Sequence, residues 1–138
     1  MAEYIERIRY EDCFINENIT MPFTPDQLQA PDTINLKKVR PFNDDEVLDN
    51  QDGTRSTERT MSFNYEGKEV LAPSLWMTDK GPVDLSRNPE VLMRAVRSYE
   101  DRSKLKFPRF DTPDEATAFA KERHTYLDKG VSPGPLAK

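Results

Sequence analysis

Between residues 60 and 65 apolar and polar positions alternate with a period of two. Met61, Phe63 and Tyr65 interleave with Thr60, Ser62 and Asn64. One face is apolar and the other polar, the pattern of a half-buried antiparallel strand. Glu66-Gly67 is a turn signal. After it Val70, Leu71, Ala72, Leu75 and Trp76 form a nearly continuous apolar run, which predicts a more central strand. Pro73 has no N–H to give a ladder, so that strand bends or ends there. The hairpin belongs to the stretch Asn50–Trp76, which opens on a turn at Asp52-Gly53. A further turn is expected at Asp79-Lys80-Gly81-Pro82.

The period then changes. Leu92, Ala95, Val96 and Tyr99 lie at i, i+3, i+4 and i+7, one face of a helix that starts with Asn88 as cap and Pro89 at the first position. A last helix starts at Thr112-Pro113-Asp114-Glu115, a capping box with two acids near the positive end of the dipole. Its apolar stripe is Ala116, Phe119, Ala120 and Leu127, and Gly130 is expected to end it. Together these elements predict an α+β fold. A small antiparallel hairpin sheet of two or three strands is packed by two α-helices and carries an extended N-terminal arm.

The N-terminal third lacks a sustained period. Tyr4–Tyr10 fits a helix or a strand, and its β-branched and aromatic content favours strand. Thr24-Pro25-Asp26-Gln27 and Asn43-Asp44-Asp45-Glu46 read as single helical turns, with Leu36–Phe42 extended between them. The expected organisation is an arm over 1–49, an α+β domain over 50–127, and a tail over 128–138, either loose or a second docking strand. A loop as long as the arm rarely persists in a small domain without a task. Its apolar residues Phe14, Leu36, Val39, Phe42, Val47 and Leu48 are the candidate partner contacts.

Composition sharpens this picture. The chain has 138 residues, enough for one domain, and 36% hydrophobic residues, below the globular norm of about 45–50%. Its core is therefore small for its length. Proline is high at 11 and glycine low at 5, which favours stiff extended segments over floppy linkers. The net charge of −5 is uneven: residues 1–54 hold 5 Lys/Arg against 12 Asp/Glu, and residues 55–138 hold 15 against 13. An acidic arm of this kind seeks a basic surface on its own chain or another. No apolar run approaches the ~20 residues of a membrane span, and Met1–Tyr10 is too charged for a signal peptide.

Candidate chemistry is sparse. Cys13 and His124 are the only cysteine and histidine, so no intrachain disulfide and no His/Cys zinc site is expected. Cys13 reads as a small buried residue and His124 as a partly buried or capping one. Ser56, Thr57 and Glu58 lack the base and elbow that a serine nucleophile needs. Local turn bonding is the simpler reading, with Glu58 paired to Arg55 or Arg59. Arg94, Arg97, Arg102, Lys104, Lys106 and Arg109 form a basic stretch with Phe107 and Phe110 interleaved. It is a solvated face, a dock for an acidic arm, or a nucleic-acid patch.

One set of motifs carries a resemblance. Asp52-Gly53-Thr54-Arg55-Ser56-Thr57-Glu58-Arg59 is followed by Gly67-Lys68, then Pro73-Ser74-Leu75. Phe110-Asp111-Thr112-Pro113-Asp114-Glu115-Ala116, Phe119-Ala120 and His124 complete the order. As an ordered set over residues 50–127 this resembles a small domain of tailed-bacteriophage virion proteins. That domain occurs alone and within large internal proteins, some bearing a peptidoglycan-cleaving domain elsewhere. Departures are Pro-Ser-Leu where Pro-Thr-Ile is usual, and Phe119 where tyrosine is. The resemblance implies a virion structural or ejected protein, made in the bacterial host cytoplasm and assembled in several symmetric copies with capsid, connector or tail neighbours. It implies no catalytic residue, cofactor or metal. The alternative is an ejected or nucleic-acid-associated phage protein acting in the host through residues 94–109.

Overall fold

A computed structural model of the chain describes residues 2–7, 23–43, 46–49, 55–56, 58–129 and 133–138. The alternating run becomes strand β5 (Arg59–Tyr65) and the apolar run becomes β6 (Lys68–Pro73), paired in the register Met61↔Ala72, Phe63↔Val70. Glu66 (φ 53) and Gly67 (φ 83) join them, both left-handed as a tight two-residue hairpin turn requires. Strand β1 (Ala2–Arg7) pairs with the outer side of β5, and β9 (Arg109–Phe110) pairs with β6. The sheet order is β1-β5-β6-β9. The architecture is α+β, with a broader sheet than the two or three strands the sequence suggests.

Pro73 ends β6, and the chain bends at Ser74 into a second sheet. There β7 (Leu75–Thr78) lies between β2 (Arg40–Pro41) and β8 (Gly81–Asp84). A short ladder joins β3 (Leu48–Asp49) to β4 (Arg55–Ser56). Pro82 sits on the edge strand β8, where its missing N–H costs nothing. The strand β8 is not apparent in the sequence, since four residues following a turn carry almost no periodic signal.

Helix α1 (Pro89–Ser103) is capped by Asn88, whose side chain accepts from Val91 N. Helix α2 (Pro113–Asp128) is capped by Thr112, whose Oγ1 accepts from Glu115 N at 3.2 Å. The box closes differently from expectation. The Glu115 carboxylate accepts from the Thr112 hydroxyl at 3.2 Å. The expected stops at Gly130 and Asp52-Gly53, and Cys13, lie outside the described residues.

Strand pleating sends alternate side chains to opposite faces. Met61, Phe63, Val70 and Ala72 join Val39, Trp76, Val83, Leu92, Ala95, Val96 and Phe107 in the main core. Trp76 anchors it, fully buried, packed against Tyr99 and Phe107 and donating from Nε1 to Pro73 O at 2.6 Å. Truncating such an anchor costs about 3–5 kcal/mol. The other face of β5 is a correction. Thr60 and Ser62, read as solvent-facing, are fully buried, because α2 lies over that face and brings Ala116 and Ala120 against it. Small residues on both sides let helix and sheet approach closely. Ser62 donates to the buried Glu69 carboxylate at 2.5 Å, while the Thr60 and Ser74 hydroxyls have no hydrogen-bond partner.

The described part of the expected arm is laid on this body. Val39, Val47 and Leu48 are buried by this chain itself and so offer no surface to a partner in this conformation. Leu36 packs against the core, and Phe42 meets Phe23 at 6.1 Å between ring centroids. Polar bonds hold the same segment. Arg102 Nη2 donates to Val39 O (2.7 Å) and Leu36 O (3.3 Å), and Gln29 N donates to Pro82 O (2.7 Å). Arg40 and Glu46 form a two-point pair at 2.6 and 2.9 Å. Phe14 lies outside the described residues.

Candidate interaction groove

Helix α2 presents two kinds of residue on neighbouring faces. Ala116, Ala120 and Arg123 follow at i, i+4 and i+7, the face turned to the sheet. Phe119 and Tyr126 stand beside them, 38% and 44% exposed. Phe119 is thus not in the core as its place in the apolar stripe suggested. It covers Phe110 at 5.3 Å between centroids and leaves its outer edge to solvent.

Arg123 reaches off the helix to the start of β5. Its Nε and Nη2 donate to the two Glu58 oxygens at 2.7 and 3.0 Å, and Nη2 also donates to Gly134 O at 2.8 Å. The side chains are only 10% and 15% exposed. The fork of a guanidinium matches a carboxylate at two points, which fixes orientation as well as charge. Glu58 is therefore paired with Arg123 rather than with Arg59, while the Arg55 side chain lies outside the described residues. Arg59 is bound to Asp84 at 2.6 Å.

The opposite wall comes from the segment after α1. Lys104 takes the left-handed conformation (φ 66) and ends the helix with its N–H on Glu100 O at 2.9 Å. Glu100 then holds the chain that follows. It accepts from Phe107 N, Arg109 Nη1 and Arg109 Nη2, each at 2.8 Å, with only 3% of its side chain exposed. Burial pushes the Glu100 carboxyl up, but the bonds from Arg109 and Phe107 and the nearby positive charge outweigh it and hold the group below its ordinary value. The Glu100 bond in turn raises Arg109, which also lies over the Tyr65 ring at 5.9 Å.

Residues 133–138 run between these walls. Lys138 N donates to Lys106 O and Lys106 N donates to Lys138 O, both at 2.9 Å. Leu136 and Ala137 are buried. The tail over these residues is thus seated against its own chain, and none of them is part of a strand. A cavity of about 410 Å³ lies on each side of it. One is lined by Phe119, Tyr126, Pro108, Pro133 and Lys106. The other is lined by Phe42, Tyr99, Leu105, Phe107 and Glu58. Arg123, Pro135 and Leu136 line both.

The six cations of 94–109 do not form one surface. Arg109 is committed to Glu100 and Arg102 to the backbone of residues 36–39. Arg94 and Arg97 are exposed around a separate hollow of about 280 Å³ with Tyr65, Glu90 and Met93. Lys104 and Lys106 are exposed at the far end of α1, and Lys106 borders the groove. His124 is half-buried on α2. Among the described residues there is no cluster of His, Cys, Asp or Glu that could hold a metal ion, and no helix is long and apolar enough to cross a membrane.

Sequence reasoning missed Arg123. The signal was its place on the Ala116–Ala120 face, where a cation has to find a carboxylate or leave the sheet. A scan against family models, a search of curated proteins and a search of solved structures each found no match to this chain.

Proposed function

We propose that this chain is a structural protein of a tailed-bacteriophage virion, joining capsid, connector or tail neighbours through the extended segments at its two ends. The observation that carries the reading is the Glu58–Arg123–Gly134 clasp. Glu58 closes the most distinctive motif of the sequence, and its carboxylate is spent on Arg123 of helix α2, which in turn donates to Gly134 O. A group locked in a two-point ion pair is poorly placed to act as acid, base or nucleophile. The motif thus serves the framework. The framework is a small body with long segments laid along it, which suits a protein whose work is contact with neighbours. Partners in such assemblies are other virion proteins in repeated copies.

The test is association with particles. Purified virions digested and examined by mass spectrometry should contain the chain in a fixed ratio to the major structural proteins. Titration against isolated capsid, connector and tail subunits should give saturable binding to at least one. Absence from particles together with no binding to any subunit would sink the reading. Salt-dependent binding to DNA or RNA lost on charge reversal of Arg94 and Arg97 would instead favour a protein acting on nucleic acid in the host.

A further inference from the structure

Helix α1 turns one charged stripe to solvent. Glu90, Arg94, Arg97 and Asp101 follow at i, i+4, i+7 and i+11, and all four are exposed. Arg94 and Arg97 stand in the middle of it, and among the described residues neither has an ion-pair or hydrogen-bond partner. With Glu90, Tyr65 and Met93 they line the hollow of about 280 Å³. Tyr65 and Met93 are partly buried and packed against the core, so the apolar part of the hollow is held in place. Arg109, tied to Glu100, lies over the Tyr65 ring at 5.9 Å and adds positive charge beside it. The exposed rings of Phe119 and Tyr126 differ in this respect, since they border a groove that residues 133–138 already fill.

Tyrosine, methionine and arginine are enriched where proteins meet, and tyrosine and arginine carry much of the binding energy there. An occupant of this hollow has to bring negative charge for two guanidinium groups and an apolar group for Tyr65 and Met93. A nucleic-acid strand fits poorly. Glu90 and Asp101 continue the stripe at either end, so a phosphate backbone tracking along α1 would meet a carboxylate before and after the two arginines. The net charge of −5 opposes a polyanion at longer range. Carboxylates on a short peptide reach the arginines without passing those acids. We propose that the hollow docks an acidic segment of a neighbouring virion protein, its carboxylates on Arg94 and Arg97 and an apolar side chain against Tyr65 and Met93. The inference rests on the assembly reading and deepens it by giving one partner its chemistry.

The test titrates the isotope-labelled full-length chain with the end-capped peptide Asp-Glu-Phe-Asp-Glu and follows amide shifts by NMR. The shifts should saturate and centre on Tyr65 and residues 90–97. The peptide Asn-Gln-Phe-Asn-Gln, of the same shape without charge, should bind about tenfold more weakly or worse, and so should the acidic peptide to a chain carrying Arg94→Gln and Arg97→Gln. Both arginines are exposed, so that variant should keep its urea midpoint. Arg87→Gln, which removes an exposed cation outside the hollow, should leave binding unchanged. No saturable shift at millimolar peptide overturns the proposal. So does equal binding of the two peptides, or an equal loss with Arg87→Gln, which would report general attraction of charge. An oligothymidylate that shifts the same amides and binds more tightly than the acidic peptide would overturn it in favour of nucleic acid. The titration uses the purified chain alone, so its failure leaves association with particles to be judged separately.

Discussion

Cutting the Glu58–Arg123 pair in a double-mutant cycle separates a framework role from any other. Arg123→Met keeps most of the side chain's apolar bulk but leaves the Glu58 carboxylate 15% exposed and without its two donors. Breaking a buried pair from one side costs 3–5 kcal/mol, and this pair's residual access to water places it near the lower end, at about 3 kcal/mol. Glu58→Gln keeps one acceptor for the guanidinium and costs about 1.5 kcal/mol. With both changes no buried charge is left stranded, so the double variant should lose about 2.5 kcal/mol where the separate losses would give about 4.5. The coupling is then about 2 kcal/mol. Loss of the Arg123 bond to Gly134 O occurs in both Met variants and cancels in the cycle. Urea denaturation followed by Trp76 fluorescence measures all four stabilities, provided the m-value is constant across the set. Additivity within about 0.5 kcal/mol would refute the reasoning. The carboxylate and guanidinium would then not depend on one another, and the clasp could not be what the motif is for.

Three further outcomes follow from buried groups and one turn. Glu100 is held below its ordinary value when folded, so its stabilisation is complete above the unfolded carboxyl range and is lost as pH falls through and below about 4. Melting temperature measured from pH 7 to about pH 3 should fall less steeply for Glu100→Gln than for the parent chain, from a lower start; parallel curves would contradict this. Thr60→Val keeps the volume and removes a buried hydroxyl that has no partner, so urea titration should show no loss and up to about 1 kcal/mol of gain. A clear destabilisation would mean that the hydroxyl is bonded. At Gly67 an added Cβ meets nothing within 4 Å, so Gly67→Ala should cost only the left-handed backbone strain, about 1–2 kcal/mol, while Gly67→Asn should cost less.

Much of the fold could be read from local signals because those signals act locally. The Glu66-Gly67 turn, the caps at Asn88 and Thr112 and the break at Pro73 each follow from what one or two residues can do with their backbone. Burial was less readable because it depends on what arrives from elsewhere. Thr60 and Ser62 look like solvent residues until a helix with Ala116 and Ala120 in register closes over them. Val39, Val47 and Leu48 look like sticky positions on a free arm, yet Val39 joins the core around Trp76, and the backbone at Val47 and Leu48 pairs with Phe23 of the same chain. The groove was hardest to read, since it is assembled from α2, the segment held by Glu100 and the last residues of the chain, and no short stretch contains it. Only the lone cation Arg123 on an otherwise small-residue face pointed there.

Ser74 has a consequence for how the molecule opens. Its N–H donates to Arg59 O in the first sheet at 2.6 Å, and its carbonyl accepts from Leu85 N beyond the second at 2.8 Å. A single residue thus bonds to both sheets, and the strands on either side of it, β6 and β7, are interior strands of their sheets. Neither sheet can shed its strand without tearing the other's register. The two therefore form one cooperative unit. In native-state hydrogen exchange the amides of Leu71 and Trp76 should respond to denaturant with the same slope and the same limiting free energy, as atoms released by a single global event.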